Sequence, residues 1–263
     1  MRVQMEFGVA ALYKSASQRA RVVTELWAER NLYCANCDSP ALTRSRPNAQ
    51  AIDFACPSCC ATFQLKSQSS AFSRRIVDAG YEAMRRAIVG DRTPNLIALH
   101  YDVGTWGVKN LVLVPRFAFS MSVIEKRKPL ASTARRAGWI GCNILLCNIP
   151  EDARIDLVRE GVPTNPDLVR SKYSQLTPLT RMDVDVRGWT LDVLRVARSL
   201  GKRHFSLDEL YAHETELRSL HPANRNVKPK IRQQLQRLRD LGVIEFGGPG
   251  HYQFRKVQLT ASA

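Results

Sequence analysis

At 263 residues the chain is long enough for one or two cores, and 44% hydrophobic with 24% charged content excludes a largely disordered protein. No apolar run reaches the ~18 residues of a membrane-spanning helix, and residues 1–15 have neither the apolar length nor the cleavage site of a secretory signal, so a cytoplasmic protein is expected; a monomer is the starting assumption. Lys and Arg number 39 against 24 Asp and Glu, a formal charge of +15, which points to a polyanionic partner, nucleic acid first.

The first expected element is a helix over 15–31, free of Gly and Pro, with Ala20, Val23, Leu26 and Trp27 on one stripe. Residues 34–65 carry paired cysteines and two short β-prone runs. Residues 71–90 return to helical spacing through Phe72, Ile76, Ala83 and Ala87. The apolar runs NLIALHY (95–101) and NLVLVP (110–115), separated by Gly104 and Gly107, predict consecutive strands covered on both faces, and ARIDLV (153–158) predicts another. Residues 159–178 contain prolines and little periodicity and read as a connector. This is an α/β pattern, with a domain boundary near residue 182.

Over 183–263 the pattern becomes helix, helix, helix, hairpin, the order of a winged helix. Ser206 and Glu209 form a capping box ahead of the second helix. The third places Ile231, Leu235 and Leu238 at i, i+4, i+7, with Pro229 near its start and Gly242 just past its end. Two β-prone segments around Gly-Gly-Pro-Gly follow.

Cys34-x-x-Cys37 and Cys56-x-x-Cys59, with 18 residues between them, have the spacing of a structural zinc site. Cys60 competes for the second register, and the two-residue gap favours Cys59. Cys142 and Cys147 lie far from partners of suitable spacing and read as buried thiols. Around the second knuckle, Asp53 precedes Cys56 by three residues, and Gln64 and Lys66 follow at positions two apart, on one face of a strand. If 51–55 and 62–66 pair, the zinc pins their register. An acid, an oxygen ligand and a lysine so placed are the parts needed to hold Mg²⁺ against a phosphate; polar surface residues of a hairpin would give the same pattern.

With these residues the chain resembles the PD-(D/E)xK nucleases and, within them, the DpnI-like methyl-directed restriction endonucleases. The likeness runs nearly end to end and is densest in SASQRARVVTELW, the two knuckles, the DF and FQLK strands, KPLASTARRAGWIGCNI and KIRQQLQRLRD. It implies a mixed sheet flanked by helices with an inserted four-cysteine zinc knuckle in 1–182, and a winged-helix DNA-binding domain in 183–263. It also implies Mg²⁺-dependent cleavage of double-stranded DNA at GATC carrying N6-methyladenine. By position, Asp53 and Gln64 would hold Mg²⁺ with the Leu65 carbonyl as a third ligand, and Lys66 would position or activate the water. The family carries Glu where this chain has Gln64, a neutral and weaker ligand for a hard cation.

Residues 126–150 hold Arg135, Arg136 and Trp139 in a basic loop; the arginines suit phosphates and the indole an adenine methyl group, although Trp139 would equally serve as core. On the third helix of the carboxy-terminal domain Lys230, Gln233, Gln234 and Arg237 are expected to face outward, with His251 and Tyr252 on the wing. The alternatives are a zinc-stabilised methyl-adenine DNA reader without catalysis and, below it, an RNA-directed zinc-ribbon protein.

Overall fold

The computed structural model of the chain describes residues 1–46, 51–72 and 74–255. The chain divides into two compact units, Met1–Val184 and Asp185–Ala263.

The first unit opens with α1 (Ala16–Asn31), whose Val23, Trp27 and Ala28 are buried. Short strands β1 (Thr43–Arg44) and β2 (Phe54–Ala55) lead to β3 (Thr62–Gln68). Then come β4 (Arg75–Gly80), α2 (Tyr81–Val89), β5 (Asn95–Tyr101) and β6 (Val108–Val114). After them follow β7 (Ile124–Lys126), β8 (Gly141–Leu145), β9 (Ile155–Arg159), β10 (Val162–Pro163) and α3 (Pro166–Leu176). Seven strands form a mixed sheet in the order β1-β2-β3-β5-β6-β9-β10, in which β3 and β5 run parallel and the other neighbours antiparallel. Leu96, Ile97, Leu99, Leu111 and Leu113 are sealed between covering layers, each worth about 1.5–3 kcal/mol of burial. A second antiparallel sheet, β4-β8-β7, shares no strand with it among the described residues.

Two expectations need correction. The helix expected over 71–90 begins only at Tyr81; Arg75–Gly80 is a strand whose burial alternates, with Ile76 and Asp78 inward. Phe72 and Ile76 are four apart, a spacing that satisfies both the helical period and a multiple of the strand period, so it does not separate the two. The connector contains α3, started by the Asn165 side chain accepting from the Asp167 N–H (2.7 Å) with Pro166 in the first turn. Its Val169, Tyr173 and Leu176 are buried at i, i+4, i+7; a proline at a helix start lacks only an N–H that would be unpaired there anyway.

The second unit contains α4 (Val184–Ser199), β11 (His204–Ser206), α5 (Leu207–Tyr211), α6 (Glu214–Leu220), α7 (Val227–Asp240), β12 (Ile244–Gly248) and β13 (His251–Phe254). Among the described residues its three strands form the sheet β11-β13-β12, and its core includes Trp189, Leu194, Phe205, Leu217, Leu235 and Phe254. Both halves of the Ser206/Glu209 capping box are made. The expected middle helix is two short helices, broken at Ala212 and His213. Gly242 takes a φ of +72° just past α7, the left-handed conformation that closes a helix.

Candidate functional site

Cys34, Cys37, Cys56 and Cys59 bring their sulfurs within 4.8 Å of one another. The Cys34–Cys59 and Cys37–Cys56 separations are 3.6 and 3.5 Å. A tetrahedral zinc with Zn–S bonds of about 2.3 Å requires sulfur separations close to these, and four thiolates complete its coordination. Cys60 is exposed and stands outside the cluster, with a φ of +60° and its N–H on the Cys56 carbonyl, as the chain turns back into β3. From α3, Arg170 Nε donates to the carbonyls of Cys34 (3.2 Å) and Cys37 (3.1 Å), and its guanidinium lies over the Tyr33 ring. The supposed connector therefore braces the first knuckle. Cys142 is buried, but Cys147 is exposed, contrary to its reading as a buried thiol.

The second knuckle is the turn between β2 and β3, which pair Phe54 with Phe63 and Ala55 with Thr62. The pairing extends to Asp53, whose N–H donates to the Phe63 carbonyl (2.9 Å). The Asp53 carboxylate reaches across β3 and accepts from the Leu65 N–H at 2.7 Å. Burial pushes the Asp53 carboxyl above its usual range, opposed by that N–H and by the Lys66 charge. Two hydrogen bonds, one from its backbone and one to its carboxylate, thus lock Asp53 to the strand carrying Gln64 and Lys66.

Gln64 is buried and Lys66 half-buried. Both meet a residue that sequence reading missed. Asp78, on β4, places Oδ1 3.2 Å from Gln64 Nε2 and 2.7 Å from Lys66 Nζ, with its own side chain only 1% exposed. The oxygen of Gln64 takes no hydrogen bond among the described residues and is not a sealed-off polar atom, so it opens to solvent. The Cys142 thiol lies 4.0 Å from the other Asp78 oxygen; burial and then that charge push it up to about 12. The site therefore offers one carboxylate held by a backbone N–H, one amide oxygen, and an ammonium paired to a buried acid, which fits a hard cation beside a phosphate.

Beyond β7, a loop closes through Leu130 N–H to the Trp139 carbonyl (2.9 Å) and Gly138 N–H to the Leu130 carbonyl (3.1 Å). Arg135 and Arg136 are exposed on it, and the Arg136 guanidinium lies 4.9 Å from the Trp139 ring centroid. Trp139 is half-buried, its indole against Gly80 of β4 and Gly141 of β8, which face each other across the two strands. Bare glycines seat the ring, leaving the residue neither fully core nor free.

In the second unit, α7 exposes Gln233 and half-exposes Lys230 and Arg237. Gln234 contradicts its expected outward role: it is fully buried, its oxygen accepting from Thr190 Oγ1 of α4 (2.8 Å) and from Arg237 Nη1 (3.0 Å). It lies three residues from both Ile231 and Arg237, at the border of the apolar stripe, and Thr190 draws it inward. His251 is exposed and Tyr252 half-buried on the wing strand.

Comparison with known families accounts for both units. A model described as "DpnI: Dam-replacing family" matches residues 1–182, and one described as "Dam-replacing HTH domain" matches residues 185–254. With a mixed sheet carrying a four-cysteine cluster and a helix-turn-helix unit that implies DNA binding, the chain belongs to the DpnI, or Dam-replacing, family of restriction-type DNA-binding nucleases.

Proposed function

We propose that this protein is a Mg²⁺-dependent endonuclease that cleaves double-stranded DNA at GATC sites carrying N6-methyladenine, acting as a cytoplasmic monomer. The observation that carries the catalytic part is the meeting of Asp53, Gln64, Leu65 and Lys66 on one zinc-braced hairpin. Asp53 and the Gln64 oxygen, with the Leu65 carbonyl, would hold the cation. When bound, Mg²⁺ polarises a phosphate oxygen and makes water a better nucleophile. Lys66 sets a positive charge beside the phosphoryl oxygens, where negative charge builds as water attacks, and positions that water. The Leu65 N–H keeps Asp53 aimed as a ligand.

Recognition is assigned to two surfaces. Arg135 and Arg136 neutralise phosphates while the indole of Trp139 offers an apolar face to the adenine N6-methyl group. Lys230, Gln233 and Arg237 present donors and acceptors to base edges, guanine suiting Arg and adenine suiting Gln. A methyl group on N6 leaves one N–H donor, so discrimination rests on an apolar contact plus one hydrogen bond. The test is equilibrium binding of GATC duplexes, methylated or not, without divalent metal. Preference for the methylated duplex by about tenfold or more is expected, which is roughly 1.4 kcal/mol. Equal affinity for both duplexes contradicts the methyl-reading part.

One observation favours a second reading, a methyl-adenine DNA reader with weak or no catalysis: Gln64 supplies an amide where a carboxylate would bind the cation more strongly. Under that reading the duplex preference persists and no strand is cut at any Mg²⁺ concentration.

A further inference from the structure

Asp78 is buried, charged and unaccounted for by the roles above. Its Oδ1 receives both the Gln64 amide nitrogen at 3.2 Å and the Lys66 ammonium at 2.7 Å. A carboxylate paired with an ammonium accepts hydrogen bonds and donates none. The Gln64 amide must therefore turn its nitrogen to Asp78, and since nitrogen and oxygen sit on opposite arms of the amide, its oxygen must turn away. That oxygen is the arm without a protein donor among the described residues.

We propose that Asp78 is a positioning residue: it fixes the rotamer of Gln64 so that the amide oxygen, not the nitrogen, faces the catalytic cation. The inference rests on the metal-dependent reading above and goes beyond it by explaining how a neutral residue serves at this position. A glutamine can turn its amide nitrogen, a useless donor, toward the cation; a glutamate cannot, because both of its terminal atoms are acceptors. With Gln64 in place the orienting acid is needed, and with a carboxylate in place it is not.

The dependence on residue 64 separates this role from two others. If Asp78 were a direct ligand, or only a buttress of the fold, its removal would cost the same whatever stands at 64. If it acts through the amide, the cost disappears when 64 needs no orientation, and a double-mutant cycle measures that difference. The Lys66 ion pair is lost in both backgrounds; the carboxylate of Gln64→Glu beside Asp78 adds a like-charge repulsion, and its relief would make the Asp78 changes strengthen Mn²⁺ binding rather than leave it nearly unchanged.

The experiment is Mn²⁺ binding to the full chain, followed by the electron paramagnetic resonance of the free ion, without DNA. Wild type, Asp53→Ala, Asp78→Ala, Asp78→Asn, Gln64→Glu and the two Gln64→Glu/Asp78 double variants are compared, each after its melting curve and zinc content are recorded. Loss of an orienting partner typically weakens metal binding about 10–100-fold, and Asp78→Ala is expected within that range. Asp78→Asn, which offers Gln64 either a donor or an acceptor, should fall between it and wild type. In the Gln64→Glu background both Asp78 changes should cost nothing and strengthen Mn²⁺ binding. Equal costs in the two backgrounds overturn the inference, as does an Asp78→Ala variant that is folded and binds Mn²⁺ like wild type. Should Asp78→Ala melt early, the Asp78→Asn pair carries the same comparison. If wild type binds no Mn²⁺, or Asp53→Ala binds it unchanged, the metal site itself is refuted and the role of Asp78 falls with it.

Discussion

The indole of Trp139 lies so close over Gly141 that a Cβ added there would stand 2.9 Å from its Cζ3. At Gly80, on the opposing strand, the same addition would stand 3.5 Å from Nε1, ordinary contact. Neither glycine has a positive φ, so alanine is sterically allowed by the backbone at both. Gly141→Ala should displace the ring and abolish most of the preference for methylated duplex, leaving zinc content unchanged. Gly80→Ala should keep at least half of the preference. Binding titrations on the two duplexes check both.

The zinc assignment distinguishes adjacent cysteines. Cys59→Ser should lose the metal and melt well below wild type, because the knuckle sets the β2–β3 pairing that holds Asp53 against Leu65. Cys60→Ser should retain one zinc per chain and melt within about 2 °C of wild type, as expected for an exposed side chain outside the ligand set. Metal analysis alongside calorimetry reads both outcomes.

Burial raises the Asp53 carboxyl pKa, so the folded state binds this proton more tightly than the unfolded chain. The stability that follows is present below the ordinary carboxylate range and lost as pH rises through the raised value. At neutral pH the metal-free protein therefore carries an unfavourable charge, and Asp53→Asn should melt a few degrees higher while being inactive. Bound Mg²⁺ favours the carboxylate and pulls this value back down, so the acid side of the cleavage profile should move to lower pH as Mg²⁺ is raised. Thermal melts at pH 7 without divalent metal, and pH–rate profiles at rising Mg²⁺, test the two statements.

Gln233 and Gln234 are neighbours with opposite roles. Gln234→Ala strips Thr190 and Arg237 of a shared acceptor in the core of the second unit and should cost about 1–3 kcal/mol of stability. Gln233→Ala removes an exposed side chain; it should leave stability within about 0.5 kcal/mol and weaken DNA binding. Chemical denaturation and duplex titration separate the pair.

Where one pattern dominated, the sequence was enough: β5 and β6 carry the apolar runs 96–99 and 111–114, and Ile231, Leu235 and Leu238 mark the inner face of α7. The cysteine spacing carried the knuckle because metal geometry constrains it directly. Asp78 escaped because 71–90 read as a helix, and a residue wrongly placed on a helix has no reason to face β3. Its strand pairs with β8, more than sixty residues away, and such distant pairing leaves no local trace. Gln234 shows the same limit, since its inward turn depends on Thr190 of another helix.

The most direct test of the central claim incubates the purified protein with Mg²⁺ and two matched plasmids, one adenine-methylated at GATC and one unmethylated, beside a Lys66→Ala variant. The expected result is cleavage of the methylated plasmid alone, abolished by the Lys66 change. Cleavage of both plasmids, or cleavage that survives in Lys66→Ala, contradicts it. Binding of the methylated plasmid with no cut at any Mg²⁺ or Mn²⁺ concentration would contradict the nuclease reading and leave a methyl-adenine reader.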